Sequence, residues 1–450
     1  MPKRPQLVIF KKKINRFRKS IYPDTDKSIS IRSFIVGSIS QGVSKVSRVL
    51  EGTDTLAVIA CLRKLGVKIK KINKLKANYE IFGKGLGSFY CKKNTILDFS
   101  NSGTGSRLIQ GCIATNPNIQ VKLVGDRSLS KRSMKKIIKV MEEFGAEYFP
   151  KNRFNFPLTM VSSELPIGIK HVAGISSQIK SAVILAGLNA FGKTLVVEKT
   201  KSRDHTERML DHNSAIKIKR GKNNFIEVKG QENLKPINIS VPGDPSSASF
   251  YAALCLLNKS SKIILKKVHI NPTRIGFFNI IRKHKGKISF KNKKIQGSEM
   301  VCDIHVQSSQ LKPLKVEGKF FVSCQDEYPI MFVIAALLPG TSIFKGIEDL
   351  ANKESNRIKE MQKILRQIGI KTLASKNEMK IYGNPDLNIH NKKIYVSGIL
   401  DHRILMSSSI LSLLTGIEAS LKNFEQVKSS CPNFLSTIRG LGGKFEVQKN

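Results

Sequence analysis

One recurrence constrains this chain more than any other feature. At intervals of roughly 70–80 residues it presents a helix start equipped to hold an anion, the mark of a repeated structural unit. The six stretches read KSISIR (Lys27–Arg32), NSGTGSR (Asn101–Arg107), SSQIKSA (Ser176–Ala182), DPSSASF (Asp244–Phe250), DEYPI (Asp326–Ile330) and DHRILM (Asp401–Met406). Backbone N–H groups at a helix start are unpaired and carry the positive end of the dipole. Ser, Thr, Lys and Arg added there make a phosphate or carboxylate site. A chain with six such starts is built to hold a small, multiply anionic ligand.

Apolar spacing and caps predict helices near 32–41, 53–65, 102–115, 130–144, 175–189, 204–213, 245–257, 272–284, 326–338, 353–368, 401–415 and 432–441. Taken in pairs they begin near 32, 102, 175, 245, 326 and 401. Short β-like runs lie between them, among them Gln120–Gly125, Thr194–Lys199, Ile237–Gly243 and Lys262–Val268. In the second helix Thr53 or Asp54 is expected to cap the start, Leu56, Ile59, Ala60 and Leu62 to form the apolar face, and Gly66 to end it. At 450 residues, 40% of them apolar, the chain exceeds what one core fills and implies two α/β domains of three repeats each. It would pass between them near Asp24–Lys27 and again near Val241–Asp244, and a site facing both would lie in the cleft.

Several function classes are excluded. The longest apolar runs, such as Ile330–Leu338, fall short of the ~20 residues that span a bilayer, so no membrane partner is expected. The first twenty residues are basic but lack a secretory apolar stretch, and read as a short arm and a first strand. Seven cysteines without a CxxC pair indicate neither a disulfide framework nor a zinc site, and fit reduced thiols in a cytoplasmic protein. His205 and His402 each follow an Asp but form no ligand pattern, so no metal is expected. The net charge of +44 would collect polyanions non-specifically. Its lysines are dispersed among Ile and Asn, with no aromatic-and-basic motif, so nucleic acid is not expected as the physiological ligand.

The chemistry-bearing residues follow from the same starts. Lys27, Ser28 and Arg32 put an ammonium, a hydroxyl and a guanidinium within one and a half turns, which suits a ligand carrying both phosphate and carboxylate. Gly103 and Gly105 let backbone approach a ligand closely, with Arg107 one turn on. Gly125–Arg132 packs three cations into one loop. Asp326–Glu327 and Lys353–Glu354 open the ninth and tenth predicted helices. Glu327 reads as a cap, whereas Asp326 and Glu354 become acid/base candidates if they line one cleft.

Eleven motifs in one order complete the reading: KSISIR, NSGTGSR, GDRSLSKR, SSQIKSAVILAGL, SRDHTERML, VPGDPSSASF, NPTR, DEYPI, KESNR, DHR and CPNF, spanning residues 27–434. In order and spacing they resemble the EPSP synthase family of enolpyruvyl transferases. That resemblance implies two inverse α/β-barrel-like domains, each of three βαβαββ repeats, at residues 26–241 and at 1–25 with 242–450. It places the active site in the interdomain cleft of a cytoplasmic monomer without cofactors. It implies transfer of the enolpyruvyl group of phosphoenolpyruvate to the 5-hydroxyl of 3-phosphoshikimate by addition and elimination. By motif match, Lys27, Ser28, Arg32, Ser176, Ser177, Gln178, Ser202, Asp326 and Lys353 would hold 3-phosphoshikimate. Lys27, Gly103, Arg132, Gln178, Arg357 and Arg403 would hold phosphoenolpyruvate. Asp326, Glu354 and Lys27 would be catalytic, with Lys353 and Glu354 matching the proton-transfer pair.

Some positions depart from the family pattern: Asn356 stands where Asp is usual, Ser133 and Cys431 replace Pro and Phe, Ser429 holds the place of a Lys, and no Gly precedes Lys27 closely. The nearest rival, the UDP-N-acetylglucosamine enolpyruvyl transferases, carry a reactive Cys in the loop matching Gly125–Arg132, where this chain has none. A non-catalytic anion- or nucleic-acid-binding paralogue would be expected to lose Asp326, Glu354, Arg132, Arg357 and Arg403, all of which are present.

Overall fold

The computed structural model describes residues 5–73, 77–219 and 224–449. The first four residues of the expected arm lie outside them. Two compact units emerge: Thr25–Val241 with Gln296–Glu299, and Met1–Asp24 with Pro242–Ile295 and Met300–Asn450.

Among the described residues, six four-stranded sheets share one plan. In the second of them, Thr95–Asp98 runs parallel to Gln120–Val124. Leu158–Val161 then pairs antiparallel to Gln120–Val124, and Glu147–Phe149 antiparallel to Leu158–Val161. With helices at Gly103–Ala114 and Lys135–Glu143, the chain order is βαβαββ. The first sheet of the 25–241 unit is completed from the far end of that unit, where Asn238–Ser240 runs parallel to Gln41–Ser47. The other unit closes in the same way. Arg18–Ile21 runs parallel to Lys262–His269, and Gln6–Phe10 inserts between Glu418–Leu421 and Phe445–Lys449, antiparallel to both.

The six stretches expected to hold anions do open helices: Lys27–Ile39, Gly103–Ala114, Ser177–Asn189, Pro245–Leu257, Tyr328–Ala336 and His402–Thr415. These six are buried nearly all round, three in the centre of each unit, which is why their sequences show no polar face. Buried serines keep this affordable by bonding back along the helix: Ser30 Oγ donates to Asp26 O, Ser33 Oγ to Ser30 O and Ser38 Oγ to Phe34 O. The outer helices are amphipathic instead. Arg357–Gln367 buries Ile358, Met361, Ile364 and Leu365 and, apart from the buried Arg357 at its start, turns its charged residues away from the core.

Close packing of the central helices sets a test. A Cβ added at Gly111 would lie 2.4 Å from Ala182 O on the neighbouring helix. Ala outranks Gly in a helix by about 1 kcal/mol, yet overpacking of this kind costs about 1–3 kcal/mol. Gly111→Ala is therefore expected to lower the unfolding midpoint in a thermal melt, and an unchanged or raised midpoint would show that the two helices can separate freely.

Several sequence expectations need correction. The first helix begins at Lys27 rather than near 32, because Asp26 Oδ1 accepts from Ile29 N at 2.7 Å. The second, Thr53–Lys64, is capped at Gly52 without a side-chain bond, so neither Thr53 nor Asp54 is its cap. Leu56 and Ala60 face outward, while Thr55, Val58, Ile59, Cys61 and Leu62 face the core. The helix expected over 130–144 divides into a 3-10 turn at Leu129–Lys131 and a helix at Lys135–Glu143. The tenth predicted helix starts only at Arg357, leaving Lys353 and Glu354 in the preceding loop. Among the described residues no helix is long and apolar enough to cross a membrane.

Candidate active site

In the 25–241 unit, three buried helices bring their N-termini to one end. Arg107, at the start of the second turn of the Gly103 helix, donates through Nη1 to Gln178 Oε1 at 2.7 Å, in the first turn of the Ser177 helix. Arg32, in the second turn of the Lys27 helix, donates through Nη2 to Ser181 Oγ at 3.2 Å. The caps are Asp26, Ser102 and Ser176. Gln178 is held on both sides, since its Nε2 also donates to Thr104 Oγ1 at 3.0 Å. A Cβ on Gly103 would stand 2.9 Å from Arg132 Nη1 and 3.0 Å from Arg107 Nη1, so only glycine leaves both guanidiniums this close to the helix start. Arg132 is steadied by Asn101 Oδ1 and Ser128 Oγ. Lys27 Nζ meets Asp54 Oδ2 at 2.9 Å, and keeps further N–H groups for a ligand. Ser202 is covered, with its N and Oγ both donating to Glu198 Oε1 at 3.1 Å.

The other unit repeats the arrangement with acids. Asp244, Glu327 and Asp401 stand at the N-cap positions of its three central helices. Arg357 is the hub: Nε donates to Asp401 Oδ2 at 2.9 Å, Nη2 to Glu354 Oε2 at 2.7 Å, and Nη1 faces Asp326 Oδ1 at 3.5 Å. The side chains of Asp326 and Glu354 are 22% and 21% exposed, whereas those of Arg357 and Asp401 are 1% and 0%. Asp401 is therefore a buried anchor, and the two acids that can reach a ligand are gathered on one guanidinium. Lys353 Nζ is held by Gln325 Oε1 and Asp349 Oδ2 at 2.6 and 2.7 Å. Arg403 lies over the Phe250 ring, 5.8 Å from its centroid, and its buried Nε and Nη1 have no hydrogen-bond partner among the described residues. Buried N–H groups left this way are costly unless an anion arrives to accept from them.

Glu327 is not the cap that sequence suggested. Its side chain makes no capping bond, is buried, and accepts from Ser246 Oγ, which Arg274 Nη2 also contacts at 2.9 Å. Burial, reinforced by the neighbouring Asp326 carboxylate, holds the Glu327 carboxyl above its usual range despite Arg274 and Arg403. Two departures from the family pattern keep their physical roles. Asn356 caps the Arg357 helix by accepting from Lys359 N at 3.1 Å. Cys431 donates through Sγ to the buried Asp24 carboxylate at 2.9 Å, which Asn433 Nδ2 also contacts at 2.7 Å.

Each unit thus gathers its candidates at the helix-start end: Lys27, Ser28, Arg32, Gly103, Gln178 and their neighbours in one, Asp326, Glu354, Arg357 and Arg403 in the other. Sequence reasoning missed Thr104, Asp54, Glu198 and Lys180. Only Lys180 carried a local signal, as one charge inside an otherwise small and apolar helix.

Comparison with known proteins bears on this geometry. The family model described as EPSP synthase (3-phosphoshikimate 1-carboxyvinyltransferase) matches residues 11–438. The 3-phosphoshikimate 1-carboxyvinyltransferase of Parvibaculum lavamentivorans is 36% identical over 430 residues, covering 95% of this chain and 94% of the relative. That of Sulfurihydrogenibium sp. is 36% identical over 438 residues, covering 95% and 98%. The structure of EPSP synthase from Acinetobacter baumannii superposes with a TM-score of 0.84 at 31% identity, covering 98% of this chain and all of the other. The enolpyruvyl transferase NikO from Streptomyces tendae, at 11% identity and a TM-score of 0.74, shares the fold. With its βαβαββ repeats, its six buried helix starts in sequence order and these matches along nearly its whole length, the chain belongs to the EPSP synthase (3-phosphoshikimate 1-carboxyvinyltransferase) family.

Proposed function

We propose that this chain transfers the enolpyruvyl group of phosphoenolpyruvate to the 5-hydroxyl of 3-phosphoshikimate, releasing inorganic phosphate. The observation that carries the residue roles is the Arg357 hub, which presents Asp326 and Glu354 together while Asp401 anchors the guanidinium from behind. Asp326 accepts the proton of the attacking hydroxyl, whose oxygen bonds to C2 of phosphoenolpyruvate. Glu354, with Lys353 beside it in the chain, delivers a proton to the C3 methylene, giving a tetrahedral adduct. Elimination then removes a proton from that methyl group and expels phosphate, restoring the double bond. Both half-reactions, the addition and the elimination, pair a proton transfer at C3 with making or breaking a C–O bond at C2, so placing protons and stabilising charge is the main task left to the protein.

Lys27, Arg132, Arg357 and Arg403 meet the phosphate and carboxylate of the donor, with Gly103 at the pocket wall and Gln178 between the substrates. Lys27, Ser28, Arg32, Ser176, Ser177, Gln178, Ser202, Asp326 and Lys353 hold the acceptor. All seven cysteines are free, which supports a reducing compartment such as the cytoplasm. A monomer is the state this reading adopts.

The test is phosphate release by purified protein given phosphoenolpyruvate with 3-phosphoshikimate, and separately with UDP-N-acetylglucosamine. Release from the first pair alone is expected, and none from it would overturn the proposal. Arg132→Ala is expected to lower kcat/KM for phosphoenolpyruvate by roughly 10²–10³-fold, the scale of one lost donor to a developing anion. Near-normal values in initial-rate measurements would show that Arg132 lies off the donor site.

A further inference from the structure

Behind the proposed acceptor residues lies a charge cluster that the reaction itself does not use. Lys180, on the central Ser177 helix, is fully buried, with Nζ 2.8 Å from Glu198 Oε1 and 2.5 Å from Glu207 Oε1. Both carboxylates are buried as well. Glu198 ends the strand Lys193–Glu198, and Glu207 lies in the first turn of the helix His205–Leu210. One ammonium therefore ties together the two ends of the loop 199–204. Ser202 sits inside that loop, and its N and Oγ both donate to the same Glu198 Oε1 at 3.1 Å.

The neighbouring residue on each helix makes a second tie. Thr206 Oγ1 donates to Ser181 Oγ at 2.8 Å and accepts from Arg32 Nε at 2.9 Å. Adjacent positions 180 and 181 of one helix thus hold adjacent positions 206 and 207 of another, and each tie ends on a residue assigned to the acceptor, Ser202 or Arg32. Three buried charges are a poor way to gain stability, because desolvation offsets their attraction. Burial also holds the Glu207 carboxyl above its usual range although Lys180 opposes this. Such a cluster is better explained by what it positions.

We propose that Lys180, Glu198 and Glu207 form a positioning triad that sets Ser202 for the phosphate of a phosphorylated acceptor. This rests on the function proposed above. When a phosphate oxygen takes the Ser202 hydroxyl proton as its hydrogen-bond donor, Glu198 still accepts from Lys180 Nζ and from Ser202 N, so giving up the hydroxyl leaves no orphaned charge. Without Lys180 the Glu198 carboxylate loses its cation and leans on Ser202 among the described residues. The hydroxyl is then held back from the ligand and the loop loses its staple, and both effects weaken phosphate binding.

The test compares wild type, Lys180→Met and Glu207→Gln with two acceptors, 3-phosphoshikimate and shikimate, which lacks the phosphate. The triad predicts a KM for 3-phosphoshikimate raised about tenfold or more in Lys180→Met, the weight of one hydrogen bond to a charged group. KM for phosphoenolpyruvate should stay within about threefold, and so should kcat/KM for shikimate, which makes no use of the phosphate contact. The preference for the phosphorylated acceptor should therefore fall about tenfold, with a smaller fall in the same direction for the isosteric Glu207→Gln. An equal loss with both acceptors, or an unchanged preference, would overturn the triad. Should Lys180→Met fail to fold, Glu207→Gln decides by the same ratio. A wild type inactive with 3-phosphoshikimate would instead overturn the function reading, which keeps the two failures apart.

Discussion

Arg357→Met should be the most damaging single substitution in the chain, destabilising it by about 3–5 kcal/mol, the scale of breaking a buried ion pair, and abolishing turnover. Methionine fills similar volume, so packing is nearly conserved and the loss is electrostatic. Asp401, fully buried, would lose its cation and be left with the Ser355 hydroxyl and the Arg403 backbone N–H, and Asp326 and Glu354 would lose the cation that holds them together. Thermal unfolding and phosphate release on the same preparation check both parts. Arg357→Lys should rescue little of either, because a single ammonium cannot span the three carboxylates that Nε, Nη1 and Nη2 reach. A variant that melts like wild type would show that the three acids are satisfied by other groups.

Asp326→Ala should separate catalysis from stability. Its carboxylate is 22% exposed and faces Arg357 at a long 3.5 Å, so the melting temperature should move little. If it accepts the hydroxyl proton, kcat should fall by roughly 10²–10⁴-fold with both substrates saturating, the usual weight of a positioned general base. Asp326→Asn should lose a similar factor, since the amide keeps the shape without the basicity. A substituted enzyme that retained kcat and showed only a raised KM for 3-phosphoshikimate would make Asp326 a binding group alone.

Much of this was legible in the chain because the informative chemistry is local. Capping is decided within three residues, so Ser102, Ser176, Asp244 and Asp401 announce their helices, and Pro245–Leu257 falls where its caps place it, whereas the Asp26 cap moves the first start to Lys27 from the expected 32. What stayed hidden is non-local. Asp54 looks like a cap because it stands at a helix start, and nothing nearby reveals that Lys27, 27 positions earlier, claims it. Glu327 looks like a cap for the same reason, until Ser246 from another repeat takes its carboxylate. Residue type alone suggests Leu56 for the apolar face of the second helix, yet it points outward, and the core is built on Val58, Ile59, Cys61 and Leu62.

The closing strands carry a consequence for how the molecule is assembled during synthesis. Every strand of the 25–241 unit lies within one continuous stretch, so that unit can complete its sheets as it leaves the ribosome. Gln6–Phe10 and Arg18–Ile21 emerge earlier still but have no partners until Lys262–His269, Glu418–Leu421 and Phe445–Lys449 are made. At ordinary elongation rates Arg18–Ile21 waits through some 240 residues, roughly 10–50 seconds, as a bare strand edge. Lys11, Lys12, Lys13 and Arg16 lie between these two strands, and Arg18 and Lys19 open the second. Their charge repels a second nascent chain at the stage when mispairing is easiest, a gatekeeping duty discharged before the fold exists.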